Sequence, residues 1–366
     1  MKKTHEIAFF GSSLLSSYWN GAATYYRGVI RALHDRGHHV TFYEPDAYGR
    51  QSHKDLDSVP YARVVVYPGD DPRAALATLA QADGADVLVK ASGVGVYDAL
   101  LEEAVIARRR AGRAVVFWDV DAPATLDRLR HDPADPFRAL VPRFDLILTY
   151  GGGDPVLRGY ASFGARRAAA IYNALDPDTH FAAPPEPRYQ ADLSLLANRL
   201  PDREARIEAF FFAAARALPD RRFILGGAGW DGAALPPNVR WIGHVPTADH
   251  NAFNTSARAV LNVARDSMAR AGFSPATRVF EAAGAGACLI TDAWEGVELF
   301  LAPGREILVA RDGGEVAALL AELTEERARA IGKAAQKRVL ADHTYARRAA
   351  EVEALLDTAV EEAKGT

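Results

Sequence analysis

Short apolar runs alternate with helix-spaced patterns along this chain, and the alternation happens twice. The first series of runs is IAFF (7–10), HVTFY (39–43), RVVVY (63–67), DVLVK (86–90), AVVFW (114–118) and DLILT (145–149). A helix fits about 22–35, where Ala22, Tyr25, Tyr26, Val29, Ile30 and Leu33 recur at spacings of three and four, and others fit near 73–82, 97–111 and 154–163. Strands alternating with helices imply a parallel sheet covered on both faces. The stretch NALDPDTHFAAPPEPRYQ (173–190) has no clean period and reads as an interdomain linker. Beyond it the pattern restarts with DLSLLA (192–197), a helix over about 203–217, then RFILG (222–226), VRWIG (239–243), RAVLNV (258–263), ACLIT (287–291) and EILVA (306–310). From Gly314 onward the chain reads as mostly helical. The expectation is α/β, with domains at 1–172 and 191–342, a linker at 173–190 and a C-terminal helix at 343–366 that can pack back on the first domain.

Composition narrows the function. The net charge of −4 argues against broad nucleic-acid binding, while 43 Lys and Arg leave room for a local pocket for a small anion. The single cysteine, Cys288, excludes an internal disulfide and an all-cysteine zinc site, and its place in ACLIT reads as a small buried hydrophobe. The start, MKKTHEIAFFGSSLLSSYWNGAA, loosely resembles a secretion signal, but His5 and Glu6 interrupt it and only four apolar residues follow before Gly11. No stretch approaches the roughly 18 apolar residues of a membrane span. The expectation is a cytoplasmic protein.

A literal GxGxxG occurs at Gly227, Gly229 and Gly232, after the run FILG. A dinucleotide reading needs a helix next, to hold a pyrophosphate at its N-terminus. Pro236-Pro237 forbids one, so these glycines read as a turn lining an interdomain cleft, and an NAD dehydrogenase is disfavoured. The loop GSSLLSSYWNG (11–21) follows the first strand, at the sheet edge where open α/β folds bind ligands, and lacks the Gly-Lys-Ser/Thr of a P-loop. Ser12, Ser13, Asn20 and Gly21, with Tyr18-Trp19, suit a polyhydroxylated acceptor, or the loop is merely structural. Asp119 and Asp121 follow the run AVVFW and are candidates for a general base, or alternatively for turn formers or a helix cap.

The stretch GFSPATRVFEAAGAGACL (272–289) predicts a helix capped by Ser274, with Pro275 at its first position. Its first amides and its dipole make an anion site. Glu281 lies seven residues past Ser274, on the same face and about 10 Å along the axis. A diphosphate at the helix start, over Ser274, Thr277 and Arg278, with a ribose diol on Glu281, fits that spacing. Arg199, Arg203 and Arg265 follow other strand ends of the same domain and add cations.

These features resemble glycosyltransferases of the GT-B fold, two Rossmann-like parallel-sheet domains facing a central cleft. The closest likeness is to the CgeB-like spore-maturation branch, carried by WIGHVP, LNVARDSMARAGFSPATRVFEAAGAGACLITDAWEGVE and PGREILVA, and more loosely by IAFFGSSLLSSYWNG and FWDVDAP. The resemblance implies that Glu281 holds the ribose, that Ser274 to Thr277 face the diphosphate, and that His244 and Val245 lie beside the base. It implies that Arg203 and Arg265 neutralise phosphate. Many retaining relatives carry an acid eight positions before the ribose glutamate, where this chain has Phe273, a departure that bears on anomeric outcome and on how the donor sugar is held. The implied activity is transfer of a sugar from a nucleoside-diphosphate donor such as a UDP-sugar, without metal or other cofactor. An epimerase of the same fold, acting with no acceptor, and a non-catalytic nucleotide-sugar binder are the rival readings.

Overall fold

The computed structural model describes residues 3–18 and 20–365. The backbone forms two compact units. One holds the residues up to Tyr172 together with those from Tyr345 on, and the other is Asn173–Thr344.

The first unit is built on β1 (Glu6–Phe10), β2 (His39–Asp46), β3 (Arg63–Pro68), β4 (Val87–Ala91), β5 (Ala114–Asp119), β6 (Leu146–Thr149) and β7 (Ala168–Ala170). All pair in parallel, in the order β3-β2-β1-β4-β5-β6-β7. Every residue of β4 and β5 is buried, as the covering of both faces demands, which is why these strands read as apolar runs broken only by Lys90 and the terminal Asp119. The Ala23–Asp35 helix after β1 buries Tyr25, Tyr26, Val29, Ile30 and Leu33. The C-terminal helix Tyr345–Ala363 belongs to this unit and packs against Ala23–Asp35. Gly28 makes the approach possible, since a Cβ there would lie 2.3 Å from the Tyr345 ring.

The second unit holds β8 (Ala191–Leu196), β9 (Phe223–Gly226), β10 (Val239–Trp241), β11 (Ala257–Asn262), β12 (Leu289–Asp292) and β13 (Leu308–Ala310), parallel in the order β10-β9-β8-β11-β12-β13. Both sheets therefore reverse direction beside their first strand, between β1 and β4 and between β8 and β11, the doubly wound arrangement that opens a crevice at the strands' carboxyl ends. No helix follows Gly227, Gly229 and Gly232. The chain runs through turns to β10, and Gly227 (φ +126°) passes so close to the first loop that a Cβ would meet the Ala197 carbonyl at 2.1 Å. Residues 173–190 run along this unit, with Asn173 Nδ2 donating to the Pro275 carbonyl (3.1 Å) and the Phe181 amide to Asn251 Oδ1 (3.2 Å).

Three local features depart from the sequence pattern. The helix expected over 203–217 is a Pro201–Ile207 α-helix, a wider π turn over Glu208–Phe212, and a second α segment Ala213–Ala217. The widened turn lets Phe210, Phe211 and Phe212 all be buried, which one face of a regular helix cannot do for three successive residues. Strand β7 is three alanines at the sheet edge, a composition with little strand propensity. Cys288 is buried as expected, and burial pushes its thiol up to about 12. Among the described residues no helix is long and apolar enough to cross a membrane.

The Glu325–Asp342 helix holds the Thr277–Gly284 helix in place. Gln336 Nε2 donates to the Gly284 carbonyl (2.8 Å), and Gly332 lets the Gly286 carbonyl come within 2.1 Å of where a Cβ would stand. Gly332→Ala gains roughly 1 kcal/mol of helix propensity but drives a Cβ into backbone that cannot rotate aside, at a cost of about 3 kcal/mol, the upper end of overpacking penalties. Chemical denaturation should show a net loss of stability, and a midpoint equal to or above that of the parent would disprove the close contact.

Candidate functional site

In the second unit a cavity of about 90 Å³ opens at the reversal of strand order, lined by Leu195–Ala197 from the end of β8, Asn262 and Val263 from β11, Arg203, and Ala276–Arg278. The helix entering it begins later than the sequence suggests. It spans Thr277–Gly284 with Ala276 at the N-cap (φ −66°, ψ 150°) and no side-chain cap bond. Ser274 therefore does not cap it, and Pro275 lies before its first turn. Both are buried, and they follow a turn in which Gly272 (φ +67°) and Phe273 (φ +47°) take left-handed conformations. The Phe273 amide donates to the Glu295 carbonyl (2.6 Å). The amides of the helix's first turn have no carbonyl within the helix to bond, so the end that meets the cavity is chemically suited to an anion.

Two cations share this cavity without partners. Arg203 and Arg278 are largely buried, and neither makes a hydrogen bond or ion pair among the described residues; Arg203 Nε is a buried donor with nothing to donate to. Burial lowers the pKa of Arg203, and the charges of Arg265 and Arg278 lower it further against Asp202 and Asp292. Burial likewise lowers that of Arg278, with Glu281 opposing. Guanidinium stays charged through such shifts, so the cavity holds uncompensated positive charge. Arg265 is exposed and lies 3.6 Å from Asp202, close enough for its field to reach Arg203. Arg199 turns elsewhere: it pairs with Glu204 (2.7 Å) and lies over the Trp230 ring.

Glu281 stands one turn behind Arg278, and two histidines that sequence reasoning missed stand beside it. His180 Nε2 is 4.0 Å from Glu281 Oε1, and one donor atom from each of His180, His250 and Glu281 falls within 4.8 Å of the others. Such a donor set could serve a divalent ion. The His250 ring bonds the Val245 backbone, and its pKa is lowered by burial first and then by Arg278. No spacing in the sequence links positions 180, 250 and 281. The expected base-side residues, exposed His244 and buried Val245, line a different cavity of about 280 Å³ with Tyr189, Arg240 and Asp249.

In the first unit the two aspartates separate. Asp119 is fully buried at the end of β5 and accepts from Ser92 Oγ (2.7 Å), the Asp121 amide (2.9 Å) and the Tyr160 hydroxyl. That shape anchors a turn and leaves no approach for a substrate proton. Asp121 is exposed, at the N-cap of the Ala122–His131 helix, with no side-chain cap bond. The loop after β1 also differs from expectation. Ser12 donates to Asn20 Oδ1 (2.9 Å), Ser13 to Glu44 Oε1 (3.0 Å), and Asn20 Nδ2 to the carbonyls of Ser13 and Ser16 (2.8 and 3.0 Å). These three side chains are buried and spent on holding the loop, which corrects their reading as acceptor contacts. Gly21 and Tyr18 are exposed, Tyr18 stacking on His53, and Trp19 lies outside the described residues.

Residues 203–354 match the family model described as glycosyl transferase-like. Among solved structures, the chain is similar to a sucrose-phosphate synthase from Thermosynechococcus elongatus (TM-score 0.70, 14% identity, covering 98% of this chain and 99% of that one). It is also similar to the Anabaena protein HepE solved with UDP and glucose (TM-score 0.66, 15% identity, 97% and 100%). An alpha-glucosyltransferase solved with UDP-glucose and DNA containing an abasic site aligns too (TM-score 0.69, 12% identity, 97% and 100%). No curated protein sequence matches the chain. The two parallel sheets and the helical C-terminus are the fold of the GT-B glycosyltransferases.

An unpaired buried cation costs stability until an anion arrives. Arg203→Met should therefore leave the thermal stability of the unliganded protein equal or raised. It should also weaken inorganic pyrophosphate by roughly 1.5–3 kcal/mol, read as a smaller ligand-induced rise in melting temperature. A full pyrophosphate response in the variant would remove Arg203 from the site.

Proposed function

We propose that the chain is a glycosyltransferase of the CgeB-like kind, moving a sugar from a nucleoside-diphosphate donor held by the second unit to an acceptor bound by the first. The observation that carries this reading is the pair of unpartnered arginines, Arg203 and Arg278, in a cavity closed by a helix N-terminus, with the Glu281 carboxylate one turn behind. Breaking the sugar–oxygen bond leaves its electron pair on the β-phosphate and adds one negative charge to the two that the diphosphate already carries. Arg203, Arg278 and the amides of Thr277 and Arg278 meet that charge as it develops, with Arg265 adding to the field, so the chain's own groups supply the stabilisation a metal would otherwise give. Glu281 is suited to the ribose, because a carboxylate accepts from hydroxyls and repels phosphate. Neighbours of this fold solved with UDP, with UDP and glucose, or with UDP-glucose support a UDP-sugar as donor. In the first unit, exposed Asp121 is the side chain fit to take the acceptor's proton, with Asp119 fixing the turn that presents it.

Two measurements test this. Glu281→Ala should weaken UDP by roughly 1–3 kcal/mol in calorimetry with the melting temperature of the free protein unchanged; unaltered affinity would take Glu281 out of the donor site. Asp121→Asn should bind UDP like the parent but transfer sugar about 100-fold or more slowly, since an amide keeps the shape and cannot accept the proton. Near-normal turnover of that variant, with a product of retained anomeric configuration, would exclude a base at Asp121.

A further inference from the structure

The segment 173–190 lies on the Thr277–Gly284 helix at a glycine. A Cβ on Gly284 would stand 2.3 Å from the Leu175 side chain and 3.1 Å from the His180 carbonyl, so the absent side chain lets His180 reach Glu281. His180 is 7% exposed, and its Nε2 is buried with no hydrogen-bond partner. The tautomer is coupled to its neighbour. The Thr179 hydroxyl lies within hydrogen-bond reach of both the Asp176 carbonyl (3.1 Å) and His180 Nδ1 (3.0 Å), and its one proton serves only one of them. In the tautomer whose Nδ1 donates to that hydroxyl, Nε2 is an acceptor. It faces Glu281 Oε1, also an acceptor, at 4.0 Å. The His250 ring is engaged with the Val245 backbone on one side and turns toward the same point on the other.

Acceptors gathered around one point call for either a cation or a group carrying several hydroxyl protons. The charge of Arg278, felt by both Glu281 and His250, disfavours adding a divalent cation there. Two acceptors 4.0 Å apart suit a vicinal diol, whose hydroxyl oxygens lie closer together than that and whose hydrogen bonds of about 2.8 Å fan outward. We propose that His180 and Glu281 divide the ribose diol between them, the 2′-hydroxyl donating to His180 and the 3′-hydroxyl to Glu281, so that the donor site selects ribonucleoside diphosphates and rejects their 2′-deoxy counterparts, dTDP-sugars included. This rests on the donor-site reading above and adds to it a residue and a donor class. A 2′-deoxyribose has only one of the two protons, and binding it strands a buried acceptor, the arrangement that discriminates most strongly.

Calorimetry on the full chain with UDP, GDP and ADP, each against its 2′-deoxy analogue, and with dTDP, tests the proposal. The parent protein should favour the ribo form of whichever nucleotide it binds by about tenfold or more, the share of one hydrogen bond. His180→Phe and His180→Ala, which remove the acceptor with and without the ring's bulk, should lower ribonucleotide affinity by about that factor and leave the deoxy form unchanged, closing the ratio. A lesion that merely loosened the site would weaken both forms alike. If UDP binds and the ratio stays put in both variants, the proposal fails while the donor-site reading stands. If neither these nucleotides nor pyrophosphate bind, the donor-site reading fails and the proposal with it. Binding of Zn²⁺ alone that both variants abolish, with the ratio unmoved, would assign the cluster to a metal and overturn the diol.

Discussion

A parallel sheet wound outward in both directions from its first strand cannot close the space beside that strand. The loops leaving β8 and β11 run to opposite faces, and a crevice is left at their carboxyl ends that no crossover fills. What the second unit does depends on what lines that gap. The loop after β8 leads into the helix carrying Arg203, β11 ends at Asn262, and the helix from Thr277 points its first turn inward. Asn262 is itself fixed, donating to Thr291 Oγ1 of β12 (3.0 Å), so the floor is held across the sheet.

Charge distinguishes the site from its surroundings. Arg206, one turn past Arg203, is also largely buried, but it is answered: it pairs with Asp292 (2.6 Å) and donates to the Ala264 carbonyl (3.1 Å). Asp292 is fully buried, and burial raises its pKa against the Ala264 amide and Arg206. That pair is structure: removing either side would leave a buried charge alone. Arg203 and Arg278 are the opposite case, desolvated with no counter-ion among the described residues. In a chain of net charge −4 this local excess is not an overflow of basic residues. It is concentrated at one crevice, where low dielectric strengthens its pull on an anion.

Much of the architecture was legible because burial on both faces writes itself into sequence as runs of Val, Ile, Leu and Phe. Every run assigned as a strand is one, and the proline pair after Gly232 does keep a helix from following. The all-alanine β7 was not legible, because an edge strand needs few apolar contacts. In the site, Arg203, Thr277, Arg278 and Glu281 could be read, since helix spacing and strand ends place them. Their neighbours could not. Ser12, Ser13 and Asn20 look like binding groups until Glu44 and the loop's own carbonyls are seen to use them. His180 and His250 reach Glu281 only through the packing of an aperiodic segment and a short helix, contacts that leave no period to detect.

The stretch before the site helix shows why a good local rule can misplace a boundary. Serine followed by proline is a strong start signal, yet here the backbone is committed elsewhere first. Gly272 is pressed against Glu295, where a Cβ would meet its side chain at 2.9 Å, and Phe273 is held at positive φ with its ring over Gly296, where a Cβ would meet it at 2.3 Å. The Pro275 carbonyl, one residue before the N-cap, is bound by Asn173. A non-glycine residue in that conformation costs on the order of 1–3 kcal/mol and persists only where its surroundings over-determine it. Two glycines, a half-buried ring and a side-chain amide from the start of the second unit do so here. Pinned on both sides, the chain starts its helix only at Thr277, and the amides of that first turn are delivered to the arginines rather than to a serine cap. A capped end would have been more stable and would have had less to offer an anion.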